Sequence, residues 1–599
     1  MSTRLARVED AFASAALLAM ALVPIAESVL RRLFGTGIPG AGPIAQHLVL
    51  WVGFLGAAIA ARQGTLLALA SGTLLRGVWR DAAALVSGAL GAGLAALLAA
   101  GGLELVASER GSGAVVGLGV PVWVAQLVLP VAFAAVALRL VWRASPHWWG
   151  RALAAVGIGV ALLLLRTPDI VTAGPAWPWL LVCGLAAIGG TPIFAVLGGL
   201  AALLFLRDGV TPGAVLVETY ALTTSPTLPA IPLFTLAGFL LAEGQASARL
   251  LRVFRAWCGW IPGGTAVVCA VLCSFFTVFT GGSGVTILAL GGLLLPALVA
   301  DGYQERFAVG LLTASGSLGL LLPPALPLIL YAIVAQMPMG DLFIGGVLPG
   351  VLLTTMMAAW GIREGLRSGA GRQPFRLGEA MAAMRGAAWE FTMPLLVVGV
   401  LLTGLATAIE AAALTALYAL VVQVLVHRDV SVRRDLLRVC AECVAVVGGV
   451  LIILGVAVGL TSWLVAAQVP AHVLSWTQAH VHSRYTFLLG LNLFLLVVGA
   501  LMDIFSAIVV VVPLIAPLGL AYGIHPVHLG IIFIANLELG YLTPPVGLNL
   551  FLASYRFKRP LLEVTRAALP MLGLLGAGVL VITYVPWLTV GLLHVLGRG

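Results

Sequence analysis

The sequence predicts an all-α integral membrane protein, in which a four-span unit is followed by a larger unit made of two copies of one repeat. Three observations predict it. Hydrophobic residues make up 61% of the 599 residues and charged residues 9%, and the mean hydropathy is +1.11. A soluble domain carries about 25% charged residues, and so few charges do not cover a water-facing surface, so lipid is part of the solvent. The apolar stretches are long runs of Leu, Ala, Val and Gly that lack the alternation of barrel strands. Inside lipid each backbone group must pair within its own segment, so such runs are helices. The third observation is a repeat of helix-breaking residues in the second half of the chain.

Net charge is +9. The arginines sit in short loops at helix ends, which fits membrane orientation better than nucleic-acid binding. Of the six cysteines, Cys183, Cys258, Cys269, Cys273, Cys440 and Cys443, most lie inside apolar segments. Cys440 and Cys443 form a CxxC, but there is no second pair to complete a zinc site, so a buried, small apolar role is expected for them. The apolar run from Ala11 to Ile25 is long for a signal peptide and is followed by no clean small-x-small cleavage site, so it reads as a first span.

The first unit, residues 1–150, has spans at about 11–30, 44–61, 82–107 and 120–143. Arg4, Arg7, Arg62, Arg76, Arg80, Arg139, Arg143 and Arg151 fall on one side of these spans, and Arg31, Arg32 and Arg110 on the other. Eight against three places the N-terminus and the end of the unit in the cytoplasm. A further apolar run, Ala152 to Leu165, crosses once within a 151–170 connection and delivers the next unit to the outer face. Trp148, Trp149, Trp177 and Trp179 flank it at headgroup depth.

The second unit spans 171–599. Its basic loops, Arg363 to Arg385 and His427 to Arg438, are both cytoplasmic on this reading, with two passes between them that are broken near Gly404. Arg249, Arg252 and Arg255 share one side of a helix. It is either an amphipathic helix on the membrane surface or an ordinary cytoplasmic helix end.

Gly319-Leu320-Leu321-Leu322-Pro323-Pro324 resembles Gly540-Tyr541-Leu542-Thr543-Pro544-Pro545 at an offset of 221 residues, and the same offset pairs Pro296 with Pro517, Gly302 with Gly523 and Gly238 with Gly459. The repeats are about 180–400 and 401–599. Each has two interruptions. The first is a break in an apolar stretch: Thr280 to Thr286 in one copy, Leu501 to Ala507 in the other. Apolar arms of about 15 residues around the first break are short for a crossing of about 20, which predicts a re-entrant hairpin. The second interruption is the double proline, which removes amide donors and frees carbonyls near Leu320 and Tyr541. Unwound backbone at membrane depth lines a cavity or is buried in protein.

Interrupted helices at matching places in two halves point to a transport site, where freed carbonyls hold a cation and helix N-termini face an anion. The candidate site residues are Gly281, Gly282, Ser283, Thr286, Pro323 and Pro324 in copy one. In copy two they are Asp503, Ser506, Thr543, Pro544, Pro545, Gly547 and Asn549. Asp503 is the only acid in its apolar segment. The competing reading is that Gly and Pro only pack and kink helices and that each hydroxyl bonds back to its own helix. Taken singly the hydroxyls fit that reading; the paired interruptions together fit a site.

The second unit resembles the large (DctM-like) membrane subunit of tripartite ATP-independent periplasmic (TRAP) transporters. The resemblance is carried by Ile231-Pro232-Leu233-Phe234 with Ala237-Gly238, by Pro262-Gly263-Gly264, by the Gly-Ser hairpin, and by Gly302-Tyr303. It continues through Leu322-Pro323-Pro324, Phe343, Pro349-Gly350, Thr407 to Ala413 with Glu410, Gly523 to Gly530, and Thr543 to Gly547. The first unit is similar to the small four-span (DctQ-like) subunit, through Arg62-Gln63-Gly64, Ser108-Glu109-Arg110, Pro121, Trp123 and Pro130. The chain then looks like a natural fusion of both subunits, with 152–165 as the connecting helix. The resemblance implies an elevator-type unit with inverted repeats, in which a mobile domain built from both hairpins carries the site across a fixed scaffold.

It also implies Na+ as the coupling ion, no ATP, a bacterial inner-membrane location, and an organic acid substrate delivered by a separate extracytoplasmic solute-binding protein. Hairpin one with Pro323-Pro324 would hold one sodium ion. Hairpin two, with Asp503 and Thr543-Pro544-Pro545, would hold another, with the substrate between the tips. The substrates implied are dicarboxylates, sugar acids and other carboxylates or sulfonates. Here the tip is Gly281-Gly282-Ser283-Gly284 where the family is Ser-rich, Ala325 follows Pro324 where Ser is frequent, and Leu66 replaces a polar residue. Glu410 matches a recurrent acid of the family and is expected either to serve domain motion or to bond a neighbouring helix end.

An enzyme is the first rival reading, but the chain has no HExxH and no GxSxG, and His525 and His528 are separated by Pro526-Val527 in a loop-like context. The second rival is a channel, or an elevator-type, ion-coupled transporter that works without a binding protein. The fused four-span unit argues against it.

Overall fold

The structure, a computed structural model, describes residues 3–68, 78–117, 119–172, 174–280, 282–369, 374–402, 406–544 and 547–598. Twelve helices among the described residues are long and apolar enough to cross a membrane, and two bent helix pairs pass the same test. Among the described residues the strands are two short segments, Val115–Gly117 and Val120–Pro121, paired antiparallel. The chain is an all-α, multi-pass membrane protein. Its contacts divide it into two units, Met1–Leu233 with Arg433–His472, and Phe234–Val432 with Val473–Gly599.

In the first of these, the expected spans are the helices Thr3–Phe34, Ala41–Gln63, Val78–Glu109 and Val128–Ala144, the last preceded by the short helix Val122–Gln126. Trp148–Arg166 supplies the fifth crossing. Lipid is as apolar as Leu, so close backbone approach, rather than apolar burial, holds such helices together. At Gly157 an added Cβ would fall on the Ala89 carbonyl, which seats Trp148–Arg166 on Val78–Glu109. Ala41–Gln63 and Leu437–Ala466 cross in the same way at Gly56 and Gly448, whose Cβ positions would strike the Val444 carbonyl and the Ala57 amide. Arg62 and Arg139 meet Glu9 at 3.0 and 2.9 Å, and Arg62 also pairs with Asp10. Cys440 and Cys443 are buried free thiols.

Gly448→Leu is expected to wedge that crossing open. Overpacking a close contact costs about 1–3 kcal/mol. The thermal-unfolding midpoint in detergent should fall clearly below that of Gly449→Leu, since a Cβ at Gly449 meets nothing within 4 Å. Equal midpoints for the two variants would contradict the crossing.

The second unit carries the repeat. Its first hairpin is Gly264–Thr280 and Ser283–Ala300, and its second is Arg484–Leu501 and Ile504–Ala521. The offset of 221 carries Ser283–Ala300 residue for residue onto Ile504–Ala521. The arms are 17 and 18 residues in the first hairpin and 18 each in the second. They are longer than the sequence suggested, because the small residues at the tip continue the helices. Each hairpin nevertheless returns to its start. The Thr265 hydroxyl donates to Asp301 across the open end of the first. Across the second, the Phe487 and Tyr522 rings stack at 4.3 Å, and the Tyr522 hydroxyl donates to the Val481 carbonyl at 2.6 Å. Gly302 and Gly523, at φ of +94° and +66°, make the left-handed turns that follow the two hairpins.

The broken helices follow. Glu305–Ser315 runs into the 3₁₀ turn Leu318–Leu321, the cis Pro323–Pro324 bond, and Leu326–Val334, with a 45° bend. Pro526–Gly540 stops before Thr543-Pro544, and the chain resumes as Leu548–Phe557.

Two charged residues singled out in the sequence have defined partners in this unit. The helix with Arg249, Arg252 and Arg255 is Ala246–Cys258, bent 74° from Ala230–Glu243. Its Arg249 is buried in protein and donates to Glu390 at 2.7 Å, Asp429 at 2.8 Å and Gln423 at 3.4 Å. Arg252 is the exposed member of the three. Glu410 bonds within its own helix start. It forms a capping box with Thr407, whose hydroxyl accepts from the Glu410 amide while the Glu410 carboxylate accepts from the Thr407 amide at 2.8 Å.

Candidate functional site

The first interruption places neutral oxygens against the first broken helix. The Thr277 hydroxyl lies 2.7 Å from that of Thr286 across the hairpin and donates to the Gly316 carbonyl at 2.8 Å. Gly319 lets the turn approach: an added Cβ there would strike the Ser274 carbonyl. The Ser283 hydroxyl, the Ser315 hydroxyl and the Asn549 side-chain oxygen are buried and form no hydrogen bond among the described residues. They lie on Ser283–Ala300, Glu305–Ser315 and Leu548–Phe557, helices that pack on one another. Buried polar atoms are normally paired, so three orphans on adjoining elements are candidates to face a ligand. Asn549 also ties the copies together: its Nδ2 donates to the Thr313 carbonyl at 3.2 Å, and its backbone amide donates to the Tyr541 carbonyl at 3.2 Å.

The second interruption differs. Asp503 caps Ile504–Ala521, accepting from the amides of Phe505 and Ser506 at 3.0 Å each and from the Ser506 hydroxyl at 2.6 Å. The Tyr541 hydroxyl accepts from the Ile504 amide at 3.0 Å. Thr543 bonds back to the Leu539 carbonyl of its own helix at 2.9 Å, as the competing reading holds for a single hydroxyl. Gly547 starts Leu548–Phe557 at φ +36°.

Of the candidate residues, Ser283 and Thr286 lie on a helix that packs on the one carrying Asn549; Gly282 is the N-cap of the second hairpin arm, and Pro324 is buried. Pro323 is half-buried and Pro544 exposed. Asp503, Ser506 and Thr543 satisfy one another or their own helices. Gly281 and Pro545 lie outside the described residues. Sequence reasoning missed Thr277 and Ser315. The run Ser315-Gly316-Ser317, small and polar just before a proline break, is the signal that would have found the second. His525 caps its helix by accepting from the Val527 amide at 3.2 Å, and His528 bonds Thr589 and the Thr583 carbonyl.

Two family models match the chain. The family described as "Tripartite ATP-independent periplasmic transporter, DctM component" matches residues 179–588, and "Tripartite ATP-independent periplasmic transporters, DctQ component" matches residues 20–148. The isethionate TRAP transporter permease protein DctMQ of Oleidesulfovibrio alaskensis is 32% identical over 483 residues, 78% of this chain and 75% of that one. The C4-dicarboxylate TRAP transporter large permease protein DctM of Vibrio cholerae is 32% identical, over 69% of this chain and 95% of that one. The ectoine/5-hydroxyectoine TRAP transporter large permease protein UehC of Ruegeria pomeroyi is 31% identical, over 60% and 84%. Among solved structures, the YdaH transporter of Alcanivorax borkumensis aligns with a TM-score of 0.46 at 17% identity, over 63% of this chain and 88% of that one.

Proposed function

We infer the function from one premise: this chain belongs to the tripartite ATP-independent periplasmic (TRAP) transporter family, with the DctQ and DctM components fused in one polypeptide. It is a transporter permease. We propose that it carries out sodium-coupled uptake of an organic acid anion across a bacterial inner membrane, with a separate extracytoplasmic binding protein delivering the substrate. Residues 1–150 would be the small unit, 151–170 the connection and 171–599 the large unit, and the hairpins and broken helices would move together as an elevator. The relatives' names span isethionate, C4-dicarboxylates and ectoines, which supports a small organic acid here.

The observation that carries the sodium reading is the set of three buried, unbonded oxygens, of Ser283, Ser315 and Asn549. Hydroxyl and amide oxygens beside interrupted helices suit a sodium ion, which supplies positive charge next to an anionic cargo. Uptake into proteoliposomes, with the purified binding protein outside, is expected to need an inward sodium gradient. Uptake that persists in sodium-free buffer would reject the coupling. Uptake that persists without the binding protein would reject the delivery step.

A further inference from the structure

One buried carboxyl in the second unit is used by none of this chemistry. Glu538 lies in Pro526–Gly540, just before the break, and is 2% exposed. Among the described residues neither carboxyl oxygen completes a hydrogen bond. The backbone amide of Leu321 faces it, outside full hydrogen-bonding geometry. Leu321 ends the 3₁₀ turn of the other copy's broken helix, directly before Leu322-Pro323-Pro324.

The ionisable neighbours are few. Tyr541 faces both Glu538 and Asp503. Tyr331 packs on Phe533 and Gly530, two turns away along the helix. The long helices packed on Pro526–Gly540 carry their charged residues toward their ends. These are Arg484 with Tyr485, Asp341 with Arg363, Glu364 and Arg367, and Glu563 with Arg566 and Tyr584; His594 lies near the end of Trp587–Val595. None of these supplies a counter-charge by hydrogen bonding to Glu538.

An uncompensated carboxylate sealed in protein costs several kcal/mol, and a neutral acid avoids that cost. An ionisable side chain at this depth is a functional group by default. We propose that Glu538 is a proton-binding site, protonated in the arrangement seen here and deprotonated when the Leu321 amide closes onto it. In that step the carboxyl O–H bond breaks, its electron pair stays on the carboxylate, and the proton passes to water. The carboxylate then accepts from Leu321, so the charge on one copy's helix acts on the other copy's break. This site is independent of the sodium site and adds a proton to the species that govern the cycle.

Infrared difference spectra of the purified full chain, taken between acidic and alkaline buffer, test it without transport and without sodium. The wild type is expected to lose a protonated-carboxyl band as pH rises, and Glu538→Gln to lack that band. In sodium-driven proteoliposomes the pH profile of uptake should flatten in Glu538→Gln by at least about threefold between acidic and alkaline buffer. A wild type with no pH-dependent carboxyl band overturns the proposal. So does the same band in Glu538→Gln. If Glu538→Gln does not fold, Glu538→Asp keeps the carboxyl and should move the band along the pH axis; an unmoved band overturns the assignment.

Discussion

Asn549→Leu is expected to cut sodium-driven uptake by at least about tenfold, with the chain still inserted and monodisperse. Leu keeps the branched outline of Asn, with bulkier methyl groups, and removes both polar atoms. It deletes one of the three unbonded oxygens and leaves the Thr313 carbonyl without its donor at 3.2 Å. A buried acceptor left unsatisfied costs about 1–3 kcal/mol, and about 1.4 kcal/mol corresponds to tenfold in an equilibrium. The loss is expected to fall on the sodium titration as well as on the rate, because the deleted oxygen belongs to the proposed ion site. The backbone bond from residue 549 to the Tyr541 carbonyl survives the change, so the helix start should hold. Wild-type uptake with an unshifted sodium titration would remove Asn549 from the site.

Arg249→Met is expected to have the largest effect on stability. Arg249 is 8% exposed and its guanidinium donates to Glu390, Asp429 and Gln423, while Asp429 also accepts from the Gln245 amide at 2.9 Å. His427 lies 3.5 Å from Glu390 in the same cluster. Removing one partner of a buried ion pair costs about 3–5 kcal/mol, since the other charge stays buried alone. Arg249→Lys should recover only part of this, because an ammonium cannot reproduce the fork that serves three acceptors at once. The double variant Arg249→Met with Glu390→Gln should recover more than Arg249→Met alone. Thermal unfolding in detergent reads all three, and a double variant no more stable than the single one would sink the account.

These two residues show how far sequence reading reached. Helix interruptions were legible because Gly and Pro stand out in runs of Leu, Val and Ala, and the offset of 221 doubled the signal. Hairpin tips, both proline breaks and the four spans of the first unit follow from that local chemistry. The state of each hydroxyl was not legible, because it depends on which backbone passes within reach. Thr543 turned back to Leu539 and Ser506 to Asp503, while Ser283 stayed unbonded. Spacing put Arg249, Arg252 and Arg255 on one side of a helix, but the acids that bury Arg249 lie 141 and 180 residues further along the chain. Asp503 drew attention as a lone acid in an apolar run and proved to be a helix cap. Glu538, in an equally apolar run, was passed over because nothing local separates an acid with a partner from one without.

The two hairpin tips, matched in position, are opposite in chemistry. The offset pairs Gly282 with Asp503, and Gly282 brings no side chain to the helix end it caps, whereas Asp503 fills its own. Under the proposed function, a cargo carboxylate looking for helix-end amides would find them engaged at one tip by a resident carboxyl. In the proposed role, a molecule with one anionic and one neutral end would be read head first, and a compound charged at both ends would meet repulsion at its tail. A duplicated framework can in this way impose a direction on a passenger that the duplication by itself would leave ambiguous.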